Sequence, residues 1–297
     1  MSSVHHFKLA RHHICIEFMQ EEVNNMELIS SFTPFVTTDT SAPCLFHFVV
    51  DDTMKSVPKT DRERIRVFDT GNGDTVVDLL KDGGYQYIIR NLDGNDCSLL
   101  VTNKEFSECR CALNGDHAMR SFGLNNALML AFAFAGCRKD TLLIHASLVR
   151  KDGWGYPFIA QSGTGKSTHV GLWLKHIPGC DMMNDDNPIV RIVDGQPYIY
   201  GGPWSGKTPC YRNVKAPLGA VTRIDRASQN SIERLNPVDA FISMLSSCSS
   251  MKWDKEIYDN ICDIVTRIVE TTPIYTLHCL PDEGAAHLCY ATIKRTE

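Results

Sequence analysis

The chain has 297 residues, of which 43% are hydrophobic and 22% are charged, and its formal net charge is -5. This length accommodates one large domain or two modest ones, and the composition is that of an ordinary globular protein. A mildly acidic chain without a basic cluster is a poor nucleic-acid binder, because such binding depends on Lys and Arg contacts to phosphates. We therefore expect small molecules or a protein partner instead.

The first eighteen residues, MSSVHHFKLARHHICIEF, lack the uninterrupted apolar stretch of a signal peptide. The longest apolar run, residues 127–137, is too short to cross a bilayer. Twelve cysteines are scattered along the chain without a CxxC pair, which favours free thiols over a disulfide framework. We therefore expect a reduced, cytoplasmic protein that has no membrane partner.

Residues 1–114 are expected to form a small β-rich domain, because short alternating or β-branched apolar stretches recur there. The predicted strands cover residues 13–18, 44–50, 64–68, 76–80, 85–89 and 98–102. The sequence Lys81-Asp82-Gly83-Gly84 is a hairpin signal between two of them. The paired histidines at 5–6 and 12–13 are interpreted as solvated surface rather than as metal ligands. No constellation of catalytic residue types is recognised in this part.

The pattern becomes helical over residues 115–139, and Gly136 stands where a helix would end. We expect this segment to be a helix that connects the two halves of the chain.

Residues 140–297 alternate between strand and helix patterns, which predicts an α/β domain with a partly parallel sheet. The predicted strands cover residues 142–149, 156–160, 189–193, 198–200, 218–224 and 274–280. The predicted helices cover residues 238–246, 257–269 and 283–293. One more helix is expected from about Ser167, directly after a glycine-rich loop.

The glycine-rich loop, residues 160–167 (AQSGTGKS), fits the phosphate-binding pattern G-x-x-x-x-G-K-[ST] except at its first position, Ala160. Backbone N–H groups in such a loop surround an anion, and the following helix adds positive partial charge. Lys166 is expected to reach the β and γ phosphates of a nucleotide, and the Ser167 hydroxyl to bind Mg²⁺. A plain turn between strand and helix is the alternative. The predicted nucleotide-binding residues are Ser162, Gly163, Thr164, Gly165, Lys166, Ser167 and Thr168.

Two adjacent carboxylates, Asp185 and Asp186, follow the apolar pair Met182-Met183. Buried carboxylates are costly, but they suit a site that holds a metal ion and a phosphoryl group. Side chains alternate in direction along a strand, so the two should have different roles, one near the metal and one accepting a proton. A turn is the alternative, since Pro188 and its neighbours favour turns.

Three further residues are candidates for the same site. His145 is expected at the same sheet end as the loop, as a metal or phosphate contact, although a histidine on an apolar strand is more commonly a core residue. Lys207 lies in a glycine-containing loop that could close on a charged substrate, and Arg212 follows it. Lys207 or Arg212 would offset charge on a phosphoryl group in transfer.

Together these residues resemble the catalytic domain of HPr kinase/phosphorylase and the related nucleotide domain of ATP-dependent phosphoenolpyruvate carboxykinase. The spacing from Ile144-His145-Ala146-Ser147 to the glycine-rich loop is similar to the carboxykinase, in which a histidine just before the loop strand meets the metal. Asp185-Asp186 resembles the paired aspartates of HPr kinase, which implies that Asp185 is the catalytic base and Asp186 a metal ligand. The resemblance covers about residues 140–293.

The resemblance implies an α/β, P-loop-containing carboxykinase/HPr kinase-like nucleotide domain over residues 140–297, preceded by the smaller β-rich domain. It implies an ATP- and Mg²⁺-dependent kinase that phosphorylates a hydroxyl group of a protein serine or of a small molecule. Ser167, Asp186 and His145 would hold the metal, with Asp185, His145, Lys207 and Arg212 as catalytic residues. The alternative is a nucleotide-binding regulatory or partner-recognition module with little or no turnover. A homo-oligomer is left open.

Overall fold

The computed structural model describes residues 2–295, which divide into two compact units, one ending at Gly136 and one beginning at Cys137. The described chain is mixed α/β, with three sheets and five α-helices, and its N-terminal part is rich in strands. The expected α/β class with a β-rich N-terminal part is therefore confirmed. Within residues 2–295, no helix combines the length and the apolar character that crossing a membrane requires.

The first unit is built on one eight-stranded sheet. Its strands are β1 (Ser3–Leu9), β2 (His12–Phe18), β3 (Cys44–Val50), β4 (Arg62–Asp69), β5 (Asp74–Leu80), β6 (Tyr85–Arg90), β7 (Asp96–Thr102) and β8 (Glu108–Leu113). Their order in the sheet is β1-β2-β3-β8-β7-β6-β5-β4. All neighbours are antiparallel except the two pairs that contain β3, which are parallel. The predicted hairpin joins β5 to β6, where the Leu80 N–H donates to the Gly84 carbonyl.

Helix α1 (His117–Gly136) packs against β3, β7 and β8 of this sheet and lies within the first unit. It buries Leu124, Ala127, Leu128 and Phe132. The Phe132 ring packs edge-on against His12, which is itself buried. The interpretation of His12 and His13 as solvated surface is therefore wrong, because this strand is covered.

The second unit contains a six-stranded and a four-stranded sheet. Its strands are β9 (Thr141–Leu143), β10 (Ala146–Lys151), β11 (Trp154–Ile159), β12 (Asp181–Asp186), β13 (Ile189–Val193), β14 (Gln196–Tyr200), β15 (Lys215–Pro217), β16 (Val221–Arg226), β17 (Ser231–Arg234) and β18 (Ile274–Cys279). The larger sheet has the order β12-β10-β11-β16-β18-β17, and the smaller β15-β14-β13-β9. The β11–β16 and β16–β18 pairs are parallel, so the expectation of a partly parallel sheet is confirmed.

One strand was expected over residues 142–149, and this expectation is wrong. The segment forms β9 in the smaller sheet and β10 in the larger one, with Ile144 and His145 between them. The apolar run is continuous in the sequence because both strands are buried, so periodicity alone does not show the break.

The helices of the second unit are α2 (Lys166–His176), α3 (Pro237–Ser246), α4 (Lys255–Thr271) and α5 (Glu283–Ile293). The last three begin at side chains that accept backbone N–H groups of the first turn, namely those of Asn236, Asp254 and Asp282. Helices α2 and α5 pack on the six-stranded sheet through an apolar core that includes Phe158 and Trp173.

Candidate functional site

Strand register brings three chain segments to one edge of the six-stranded sheet. In the antiparallel pairings of β10, Ala146 lies opposite Ile159 of β11 and opposite Asp186 of β12. His145 precedes β10, the glycine-rich loop follows β11, and the paired aspartates end β12. Since the start of β10 adjoins the ends of both neighbours, all three groups lie at the same edge.

The glycine-rich loop adopts backbone conformations that only glycine accepts readily. Gly163 has φ +77° and Gly165 has φ +130°, and a Cβ at either would meet no atom within 4 Å. The requirement for glycine is therefore conformational rather than steric. Gly165 immediately precedes α2, whose first N–H groups lack partners within the helix and make an anion-binding position.

Arg226, at the end of β16, donates hydrogen bonds to backbone carbonyl groups of the glycine-rich loop. Its Nε donates to the Thr164 carbonyl at 2.9 Å, and its guanidinium also donates to the Gly163 carbonyl. The guanidinium thus binds carbonyl groups, and its positive charge lies beside the loop. Sequence reasoning missed Arg226, which lies about sixty residues from the loop and belongs to no recognised motif.

Lys166 is buried at the first position of α2. Its Nζ lies 2.8 Å from His145 Nε2 and 3.1 Å from the Ala160 carbonyl oxygen. Burial lowers the pKa of Lys166, and the negative charges of Asp186 and Asp185 oppose that shift. The Lys166 Nζ therefore lies between the Ala160 carbonyl, at the start of the loop, and the His145 ring.

His145 joins Lys166 to Asp186. Its Nδ1 lies 3.0 Å from Asp186 Oδ1. A lysine ammonium can only donate, so with Lys166 charged Nε2 accepts from it and the ring proton on Nδ1 faces the carboxylate. Asp186 itself has φ +127°, a conformation that is strained for a residue with a Cβ, and Asn187 Nδ2 donates to its Oδ2 at 2.6 Å.

Asp185 faces a different set of partners, as alternation along a strand requires. Its Oδ1 accepts from Ser147 Oγ at 2.7 Å and from Ser167 Oγ at 3.0 Å. Its Oδ2 accepts from the backbone N–H of Thr208 at 3.3 Å. The carboxylate is 2% exposed, and these donors offset the cost of burying its charge. Sequence reasoning gave Ser147 no role, although it lies only two residues after His145.

The segment 205–208 lies against the paired aspartates. Ser205 Oγ donates to the Asp185 carbonyl at 3.0 Å, and the Gly206 N–H donates to the same oxygen. Lys207 is exposed and lies in the chain between Gly206 and Thr208, whose backbone N–H groups contact Asp185.

Arg212 lies elsewhere. It donates to Asp181 Oδ2 at 2.7 Å and to the Met182 carbonyl, at the start of β12. Asp181 and Asp185 are four positions apart on an extended strand, roughly 13 Å. The structure therefore does not bring Arg212 together with Lys166, His145 and the paired aspartates.

The oxygen atoms around Ser167 suit a hard divalent cation. The hydroxyls of Ser147 and Ser167 lie with Asp185 Oδ1 in one small group, and Mg²⁺ is usually held by one or two carboxylates together with waters and substrate phosphates. Asp186 instead contacts His145 and Asn187. Among residues 2–295, no group of three or more His, Cys, Asp or Glu side chains is arranged to hold a metal ion by itself. The donors fit Mg²⁺ bound together with a phosphate.

Two cavities flank the loop. The first, of about 480 Å³, is lined mainly by apolar residues of α2, β16 and the segment after β18, among them Leu172, Ile224 and Leu280. We call it the apolar cavity. The second, of about 540 Å³, is lined by His145, the end of β11, β16 and α3. We call it the polar cavity.

His169 lines the apolar cavity and is buried in α2. Its Nε2 accepts from Trp173 Nε1 at 3.0 Å, and burial lowers its pKa to about 4. The ring is therefore neutral near pH 7.

Comparison of the chain with protein-family models finds no match, and comparison with curated proteins finds none either.

Proposed function

We propose that the second unit is an ATP- and Mg²⁺-dependent phosphotransferase that acts on a hydroxyl group, with a P-loop fold of the HPr kinase/carboxykinase kind. The observation that carries this proposal is the convergence, at one sheet edge, of the Lys166 ammonium with the Ser167–Asp185 contact. Phosphoryl transfer needs mainly a cation, a metal shell and positioning, and this arrangement supplies donors for each.

We assign Asp185, rather than Asp186, to the metal shell. Asp185 contacts the hydroxyl of Ser167, the residue that binds Mg²⁺ in loops of this pattern, whereas Asp186 does not. Ser147 would hold the same carboxylate oxygen in place. When bound, Mg²⁺ neutralises negative charge on the phosphoryl oxygens. This assignment reverses the one implied by the family resemblance.

The His145–Asp186 pair is then the group that takes the acceptor proton. Asp186 fixes the ring proton on Nδ1 and leaves Nε2 as an acceptor. In this structure the Lys166 Nζ contacts His145 Nε2. When nucleotide binds, the ammonium would move to a phosphate oxygen, and His145 Nε2 could then accept the hydroxyl proton. Lys207 is exposed in the segment whose neighbouring residues contact Asp185, and its ammonium would bind the transferred phosphoryl group.

The apolar cavity suits the nucleoside part of ATP. It adjoins Thr164, Gly165 and Thr168 on the loop, and its size is within the usual range for small-molecule sites. Neutral His169 adds a flat ring to its wall.

The test of this function is formation of ADP from Mg-ATP by the purified protein. Asp185→Asn should reduce the rate of ADP formation by about 100-fold or more, because the substitution removes the carboxylate charge that would bind Mg²⁺. Asp194→Asn is the matched control: Asp194 is exposed in the β13–β14 turn with φ +51°, which asparagine also adopts. Mg-ATP binding without measurable ADP formation in the wild type would instead support a binding module.

A further inference from the structure

The polar cavity has an arrangement of charges that the proposed transfer of phosphate from ATP does not by itself require. Ile159 of β11 lies beside Arg223 of β16 in parallel register, so β16 forms the wall next to the loop. Helix α3 supplies a facing set of serines, and His145 completes the lining.

Arg223 and Asp225 place one cation and one anion on this wall. They are two residues apart on β16, so both side chains project from the same side of the strand. Arg223 Nε donates to Asp225 Oδ1 at 3.2 Å, and the two side chains are 50% and 32% exposed. A pair of opposite charges that remains accessible is complementary to a ligand that also has one charge of each sign.

Ser243 of α3 supplies an independent observation. It lines the polar cavity and is 4% exposed, and its hydroxyl has no hydrogen-bond partner within the described chain. A buried hydroxyl without a partner is unfavourable, so a ligand that hydrogen-bonds to it would gain affinity. The neighbouring hydroxyls of Ser246 and Ser247 donate to α3 carbonyls and retain lone pairs that can accept.

We propose that the polar cavity binds a free hydroxy amino acid as the phosphoryl acceptor. This inference rests on the proposed phosphotransferase function and names its substrate class. Arg223 would bind the carboxylate and Asp225 the ammonium, while serine hydroxyls of α3 bind the remaining polar atoms. A seryl residue within a protein has neither free charge, and a neutral polyol would leave both side chains unused.

The position of His145 connects this ligand to the proposed transfer. His145 lines the polar cavity, and its Nε2 is 2.8 Å from Lys166 Nζ. The acceptor oxygen forms a bond to the γ-phosphorus, and the bond from that phosphorus to the β–γ bridging oxygen breaks. ADP leaves with the electron pair, and the hydroxyl proton goes to His145 Nε2. The products are a phosphorylated amino acid, ADP and one proton.

The experiment measures ADP formation from Mg-ATP by the full chain with L-serine, L-threonine or L-homoserine. L-Alanine lacks the hydroxyl, serinol lacks the carboxylate, and N-acetyl-L-serine lacks the ammonium. At least one hydroxy amino acid should raise the rate by about 10-fold or more, and the three comparators should not. Calorimetric titration with Mg-ATP is run in parallel, so that a failure to bind nucleotide is distinguished from a failure to use the amino acid.

Variants of the charged pair supply the second readout. Arg223→Gln and Asp225→Asn should each raise KM for the active amino acid by about 10-fold or more, equivalent to about 1.4 kcal/mol. The value of kcat should stay within about threefold. Arg234→Gln, at an exposed arginine of β17, is the control and should leave KM unchanged.

Three results would overturn the acceptor proposal while leaving the phosphotransferase intact. In the first, the protein binds Mg-ATP but none of the three hydroxy amino acids raises the rate of ADP formation. In the second, serinol or N-acetyl-L-serine raises that rate as much as the active amino acid does. In the third, KM is unchanged in both Arg223→Gln and Asp225→Asn. Failure of the wild type to bind Mg-ATP would overturn the proposed function and the acceptor proposal together.

Discussion

The neutral, buried imidazole of His169 should make the second unit less stable in acid. Burial lowers its pKa from 6.5 to about 4, so in the folded state it stays neutral while the unfolded chain binds a proton below pH 6.5. The unfolded state therefore gains protons first, and stability falls as the pH drops from 6.5 to 4. A shift of this size corresponds to about 3 kcal/mol at 1.36 kcal/mol per pKa unit.

The perturbation is His169→Gln, which keeps an acceptor for Trp173 Nε1 and removes the titrating ring. Urea unfolding of wild type and variant at pH 7, 5.5 and 4 gives the free energy of unfolding at each pH. The wild type should lose about 3 kcal/mol more than the variant between pH 7 and 4. His287→Gln, at an exposed histidine of α5, should follow the wild type. Parallel pH profiles for wild type and His169→Gln would refute this reasoning.

Three further substitutions test the histidine, the loop and helix α2. His145→Gln should lower the rate of ADP formation by about 100-fold or more. The Mg-ATP affinity, measured by calorimetry, should change little, because the loop N–H groups remain. Equal losses of rate and of affinity would contradict the role assigned to His145. Gly165→Ala should lower the free energy of unfolding by about 1–3 kcal/mol, since φ is +130° there, and should also weaken Mg-ATP binding. Gly171→Ala, within α2, should instead raise stability by about 0.5–1 kcal/mol in urea unfolding.

Local chain geometry made part of the site predictable from sequence. The turn signal at Lys151-Asp152-Gly153 implies an antiparallel pair, in which the chain at the start of the first strand lies beside the loop that follows the second strand. The structure has His145 and the glycine-rich loop in this relation. Alternation along β12 likewise predicts that Asp185 and Asp186 have different partners.

Long-range register was not predictable. Which aspartate meets Ser167 depends on the pairing of Ser147 with Asp185 across β10 and β12, and a β-bulge after Leu148 shifts that register. The contact of Arg226 with the loop and the contact of Arg212 with Asp181 each join segments far apart in the sequence. A single sequence contains no local signal for such contacts, since charged side chains on loops and strand ends are compatible with many partners.

Calorimetric titration with Mg-ATP tests the central claim most directly, with wild type, Lys166→Ala and Lys175→Ala compared under one condition. Lys175 is an exposed lysine on the same helix and serves as the matched control. The wild type and Lys175→Ala should bind Mg-ATP with equal affinity, and a folded Lys166→Ala should bind about 100-fold more weakly or not at all. Equal affinity in Lys166→Ala, or no binding by the wild type, would contradict a nucleotide site at this loop.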